Sequence, residues 1–229
     1  MSSFGRLFPP MPEDPAEFRA PLYEVNPGWL PGIEVSGEGL FLRLREQDLA
    51  SWELRANVRH RARRIDDNFV ARLARQGLKP TRAVTPRFIL AHTLAHALIG
   101  QFSLDSGYPA AALRERIYVG ENMAGLLIYT ATSDSAGSFG GLIAQADGGK
   151  LDIALGEALA RISWCSGDPL CVESDASGTD SLNLAACHAC VLLPEVSCEE
   201  FNVFLDRALV VGSPSDPSLG YFSRQPPEA

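Results

Sequence analysis

The chain has 229 residues, 46% of them hydrophobic and 21% charged, with a formal net charge of −8. That length supports one sizeable core, or a core with a small metal-stapled lobe, and the acidic balance speaks against coating of nucleic acid by the whole chain. No stretch reaches the roughly 20 apolar residues of a membrane span, and Met1 to Pro10 hold no apolar run of signal-peptide length, so a cytoplasmic protein is expected.

Residues 1–47 read as an N-terminal arm followed by a small β element. Pro9, Pro10, Pro12 and Pro15 keep the first part extended, and GLFLRLR from Gly39 to Arg45 alternates apolar and polar residues with the strand period of two. Residues 48–84 are predicted to form a basic amphipathic helix and a linker. Asp48 is a natural N-cap, Leu54, Val58, Ala62, Ile65, Phe69 and Leu73 recur at spacings of three and four, and Gly77 and Pro80 mark the end.

The charge is spread unevenly. From Arg55 to Arg87 there are ten Lys or Arg and only two acids, Asp66 and Asp67, so this stretch is +8 and the remainder −16. Arg59, Arg63, Arg64, Arg72 and Arg75 lie off the apolar stripe and are candidate contacts for nucleic-acid phosphate or a partner. The same face could also dock on the acidic remainder of the chain.

Residues 85–212 carry most of the core. Thr85 before Pro86 is an N-cap followed by proline at the first helical position, opening a run from Phe88 to Ile99 that is apolar all round and therefore central. A short helix is predicted over 109–116, a buried strand from Ala124 to Ala131, a turn-rich loop from Thr132 to Gly141 and a further strand starting at Leu142 to Ala144. Helices follow from Asp152 to Trp164 and from Glu199 to Leu209, and residues 213–229, with four prolines, read as a flexible tail. The class is α+β: helices packed on a short buried sheet, with a C-terminal four-cysteine zinc lobe.

All five cysteines, Cys165, Cys171, Cys187, Cys190 and Cys198, fall within 34 residues. Cys187-His188-Ala189-Cys190 has the C-x-x-C spacing that lets two sulfurs reach one metal from a tight turn, and four thiolates close around one tetrahedral zinc. An odd cysteine count in a chain without an export signal disfavours disulfides, and three further cysteines nearby disfavour a redox pair. Cys187 and Cys190 are the firmest ligands. Cys171 and Cys198, which flank the knuckle, are expected to complete the set, with Cys165 as the fifth or alternative ligand and His188 able to substitute for a sulfur.

His92 and His96, four apart on one helix face, are a possible second site. The metalloprotease pattern needs glutamate after the first histidine, and Thr93 stands there. Either the imidazoles are structural, hydrogen-bonded to backbone or to acids such as Asp134, or they serve a metal-dependent hydrolase with Asp134. A stand-alone DNA-binding module resting on the arginine helix is the third reading. The glycines at 137, 140 and 141 lack the lysine ending of a nucleotide P-loop and read as a tight turn.

HTLAH at His92 to His96, SLDSGY at Ser103 to Tyr108, LRERI at Leu113 to Ile117, GLLIYTATSDS at Gly125 to Ser135, Gly140-Gly141-Leu142 and ACHAC at Ala186 to Cys190 together resemble the MrfA-type zinc-binding domain. With Cys165, Cys171, Ser197-Cys198-Glu199 and DRAL at Asp206 to Leu209, the pattern over residues 85–212 is similar to the DrmB family of DISARM anti-phage systems. The resemblance implies a domain attached to, or encoded beside, superfamily 2 DNA helicases. It implies a DrmA-like helicase partner and DNA engaged through the complex. The chain has no Walker motif, so a non-catalytic, zinc-binding accessory subunit is implied rather than a motor.

Overall fold

A computed structural model describes residues 3–5, 19–21, 28, 29, 32, 34, 36–130 and 141–223. The chain divides into two units, Met1–Val35 and Ser36–Ala229. In the first, strands β1 (Ser3–Gly5) and β2 (Arg19–Pro21) pair antiparallel, with Phe4 opposite Ala20, where only an extended arm was expected.

The second unit is built on a three-stranded antiparallel sheet of order β3-β5-β4, from β3 (Gly39–Arg43), β4 (Leu113–Gly120) and β5 (Met123–Thr130). The alternation at Gly39–Arg43 sets Leu40 opposite Ile128, both buried. A two-residue turn joins β4 to β5, with Asn122 at φ 56, a left-handed conformation that asparagine tolerates.

Helix α3 (Pro86–Ser106) is the centre of the unit. The Thr85 side chain accepts from the Phe88 amide, Pro86 supplies a preset φ at the first turn, and Gly107 at φ 74 ends the helix. Residues 88–99 are all buried, since β4 and β5, helix α4 (Lys150–Ile162) and helix α5 (Ala208–Val211) pack around them. Each fully buried Leu, Ile or Phe here contributes roughly 1.5–3 kcal/mol.

The expected single basic helix is two: α1 (Glu46–Glu53) and α2 (Ala56–Arg75). Leu54, counted on the stripe, is 71% exposed at the break. The actual anchors before the break are Leu49 and Trp52, and the Trp52 indole donates to Leu219 O at 2.8 Å. That phase does not continue into Val58, Ala62 and Ile65, so the chain turns at extended Arg55 to bury both sets.

Three expected elements differ. The helix over 109–116 is a 3-10 turn, Ala110–Ala112, leading into β4, whose buried positions alternate from Leu113 to Glu115. The strand at Leu142 to Ala144 is a 3-10 turn, Ile143–Ala146, because the Glu38 carboxylate accepts from the amides of Leu142 and Ile143 at 3.1 Å each. In place of a helix over 199–209 only α5 forms. Phe201, Asn202 and Phe204 have left-handed φ, and the amides of Phe204 and Leu205 bond to Leu182 O and Asn183 Oδ1 instead of to a helical turn. Residues 213–223 pack back, with the Tyr221 and Phe222 amides donating to Leu209 O and Val210 O. Residues 224–229 and the loop at 131–140 lie outside the described residues.

Candidate metal centre

After α4, the chain from Cys165 to Val172 wraps around one carboxylate. Asp168 accepts from the Cys165 amide at 2.9 Å and the Val172 amide at 3.1 Å, and Arg207, 1% exposed, pairs with it while donating to Ile162 O. This fixes Cys165 and Cys171 facing the Cys187–Cys190 knuckle, closed by the Cys190 amide on Cys187 O at 3.1 Å.

The four sulfurs converge. Cys165 and Cys187 are 3.4 Å apart, Cys187 and Cys190 3.6 Å, and Cys171 and Cys190 3.8 Å. A tetrahedron with Zn–S bonds of about 2.3 Å has sulfur–sulfur edges of about 3.8 Å, so the spacing matches a zinc shell. The amides of Gly167 and Cys187 donate to the Cys165 and Cys190 sulfurs, stabilising negative charge on them.

Burial alone would raise every thiol pKa. Sulfur contacts from Cys165 and the Ala189 amide overcome it at Cys187, which is lowered, whereas burial and the adjacent Cys187 push Cys171 up to about 11 and also raise Cys190. A divalent cation at the centre would reverse the rise at Cys171 and Cys190 by neutralising thiolates.

The expected set of Cys171, Cys187, Cys190 and Cys198 differs from this cluster in one member. Cys165 takes the place given to Cys198, and His188 is exposed. Cys198 lies with the two histidines instead. His92, His96, Glu115 and Cys198 offer ligand atoms all within 4.8 Å of one another, and all four residues are buried. His92 Nε2 is 2.9 Å from Glu115 Oε1 and 3.2 Å from Cys198 Sγ. His96 Nε2 is 3.4 Å from the same Glu115 oxygen, and His96 Nδ1 is 2.7 Å from Val191 O.

Burial disfavours imidazolium, but Glu115 and Cys198 outweigh it and hold His92 up at about 10, with His96 raised as well. Conversely, burial would raise Glu115 and Cys198, and the histidines bring both below their ordinary values. Glu115 was missed from sequence, although Leu113, Glu115, Ile117 and Val119 alternate with Arg114, Arg116 and Tyr118. Reading that run as a helix hid it. Asp134, the acid expected beside the histidines, is outside the described residues.

The arginines of α2 divide. Arg64 pairs with Asp175, and Arg72 and Arg75 face Asp180 at 3.1 and 4.0 Å. Arg61, not among the candidates, makes a two-pronged pair with buried Asp206 at 2.5 and 3.1 Å. Arg59 and Arg63 are exposed and without an ion-pair partner among the described residues.

An α+β unit with four converging thiols defines the class, a zinc-binding domain with Zn2+ as its cofactor. Residues 94–191 match the MrfA Zn-binding domain family. It is similar to the DISARM protein DrmB of Bacillus paralicheniformis (strain ATCC 9945a / NCIMB 11709 / CD-2), at 39% identity over 184 residues, 80% of this chain. The chain spans 33% of that relative's length. No helix among the described residues is long and apolar enough to cross a membrane.

Proposed function

We propose that the chain is a non-catalytic zinc-binding subunit that acts with a superfamily 2 DNA helicase, DrmA-like, in a DISARM-type anti-phage system. The likeness to the DISARM protein DrmB over 80% of the chain carries this reading. Zinc is held by Cys165, Cys171, Cys187 and Cys190, all inside the family match, whereas Cys198 falls outside it. Four protein sulfurs leave no open coordination position, so the ion staples the lobe rather than activating water.

The partner surface is centred on Arg59 and Arg63, the cations of α2 without an ion-pair partner among the described residues. Arg64, Arg72 and Arg75 contribute their field but are tethered to Asp175 and Asp180. DNA is reached through the complex, because the net charge of −8 opposes strong binding by this chain alone.

Co-expression of the chain with a DrmA-like helicase tests the reading. The expected result is co-purification, with tighter DNA binding by the pair than by the helicase alone. Arg59→Glu with Arg63→Glu should weaken the pair at least tenfold without altering the circular dichroism spectrum. A chain that never co-purifies and leaves helicase DNA affinity unchanged would contradict the proposal.

A further inference from the structure

We infer that His92, His96, Glu115 and Cys198 form a second metal site, closed around one divalent ion of the zinc class and separate from the four-cysteine centre. The histidines stand one turn apart on the same face of α3, Glu115 enters from β4, and Cys198 follows the 3-10 turn Glu195–Ser197. One ion therefore ties three elements that no backbone ladder joins.

The proton positions argue for a cation. Val191 O can only accept, so His96 carries its proton on Nδ1, and in the neutral ring Nε2 is a bare lone pair. That nitrogen is buried and faces, at 3.4 Å, the Glu115 oxygen that also lies 2.9 Å from His92 Nε2. With the ring neutral, two acceptors face each other in a site closed to water, and either a proton or a metal must stand between them; a metal supplies a bond to each. An Nδ1–H held by a backbone carbonyl is also the arrangement that orients a metal-binding imidazole.

Geometry and charge agree. Bonds of about 2.0–2.1 Å to nitrogen or oxygen give tetrahedral edges of about 3.3 Å, against the 2.9 and 3.4 Å from Glu115 to the two imidazoles, and a bond of about 2.3 Å to sulfur gives a nitrogen–sulfur edge of about 3.6 Å, against 3.2 Å from His92 to Cys198. Glutamate and thiolate together carry two negative charges, which a divalent ion neutralises inside the core. Imidazole with thiolate selects zinc and its neighbours over magnesium or calcium. Cys198 Sγ also accepts from the Glu200 and Asn202 amides at 3.4 and 3.2 Å, the same backbone support that Cys165 and Cys190 receive at the other centre.

The full chain, refolded with excess zinc and desalted, tests this by native mass spectrometry and zinc X-ray absorption. The expected wild-type result is two zinc ions per chain, one for each cluster. The averaged shell should hold about 2.5 sulfurs and about 1.5 nitrogen or oxygen donors per ion. His96→Gln and Glu115→Gln should each remove one ion and shift the remainder to all-sulfur coordination. One zinc per wild-type chain, bound by sulfur alone, would overturn the second site while leaving the cysteine centre intact. It would mean that protons hold the histidine cluster together. The wild-type reading decides the matter even where a variant does not fold.

Discussion

Arg61 and Asp206 are the pair on which the basic helix is fastened to the rest of the core. Asp206 is fully buried and also accepts from the Ala185 and Ala208 amides, and Arg61 is the only cation bonded to it among the described residues. Removing one partner of a buried pair strands the other, and Arg61→Ala is expected to cost about 3 kcal/mol, read as a lower midpoint in urea denaturation. An unchanged midpoint would mean the pair is solvated. From sequence Arg61 was one cation among ten, since nothing local marks which of them meets a carboxylate 145 positions away. The cysteines were legible as residues but not as a grouping. The knuckle is local, and its two sulfurs lie 3.6 Å apart. The choice between Cys165 and Cys198 depends on Asp168 and Arg207 folding one loop inward and on α3 claiming the other sulfur.

Elements with strong local signals formed where expected. Thr85-Pro86 opens α3, the alternation at Gly39 gives β3, and α4 runs within two residues of its predicted ends. Elements failed where tertiary bonds took over the backbone, as at residues 199–207, or where a charged residue occupies an inward position, as Glu115 does in β4. Glycine 212 is a case of an element end set by a neighbour. Gly212 closes α5 with φ 85 and ψ −179, a region essentially restricted to glycine, and an added Cβ would sit 2.7 Å from Pro217 O. Gly212→Ala should therefore destabilise the protein by about 2 kcal/mol or more, lowering its thermal midpoint by several degrees. A neutral effect would show that the 213–223 segment can lift away freely.

At the scale of the molecule, the charge asymmetry seen in the sequence is largely internal. Acids of the lobe, Asp175, Asp180 and Asp206, meet cations of α2, and Arg59 and Arg63 stay without an ion-pair partner among the described residues. The lobe has little regular structure: between α4 and α5 the chain from Ser163 to Arg207 holds only turns, 3-10 segments and an isolated bridge. Such a segment cannot offset its conformational entropy by backbone ladders, and a structural zinc, worth roughly 10–16 kcal/mol, is comparable with the whole stability of an ordinary domain. The most direct measurement is zinc content and sulfur coordination of Cys165→Ser beside Cys187→Ser in the full chain. Both substitutions are predicted to lose the all-sulfur zinc and to unfold the segment between α4 and α5, seen as loss of amide exchange protection there. Full retention of that zinc in Cys165→Ser would contradict the four-cysteine centre.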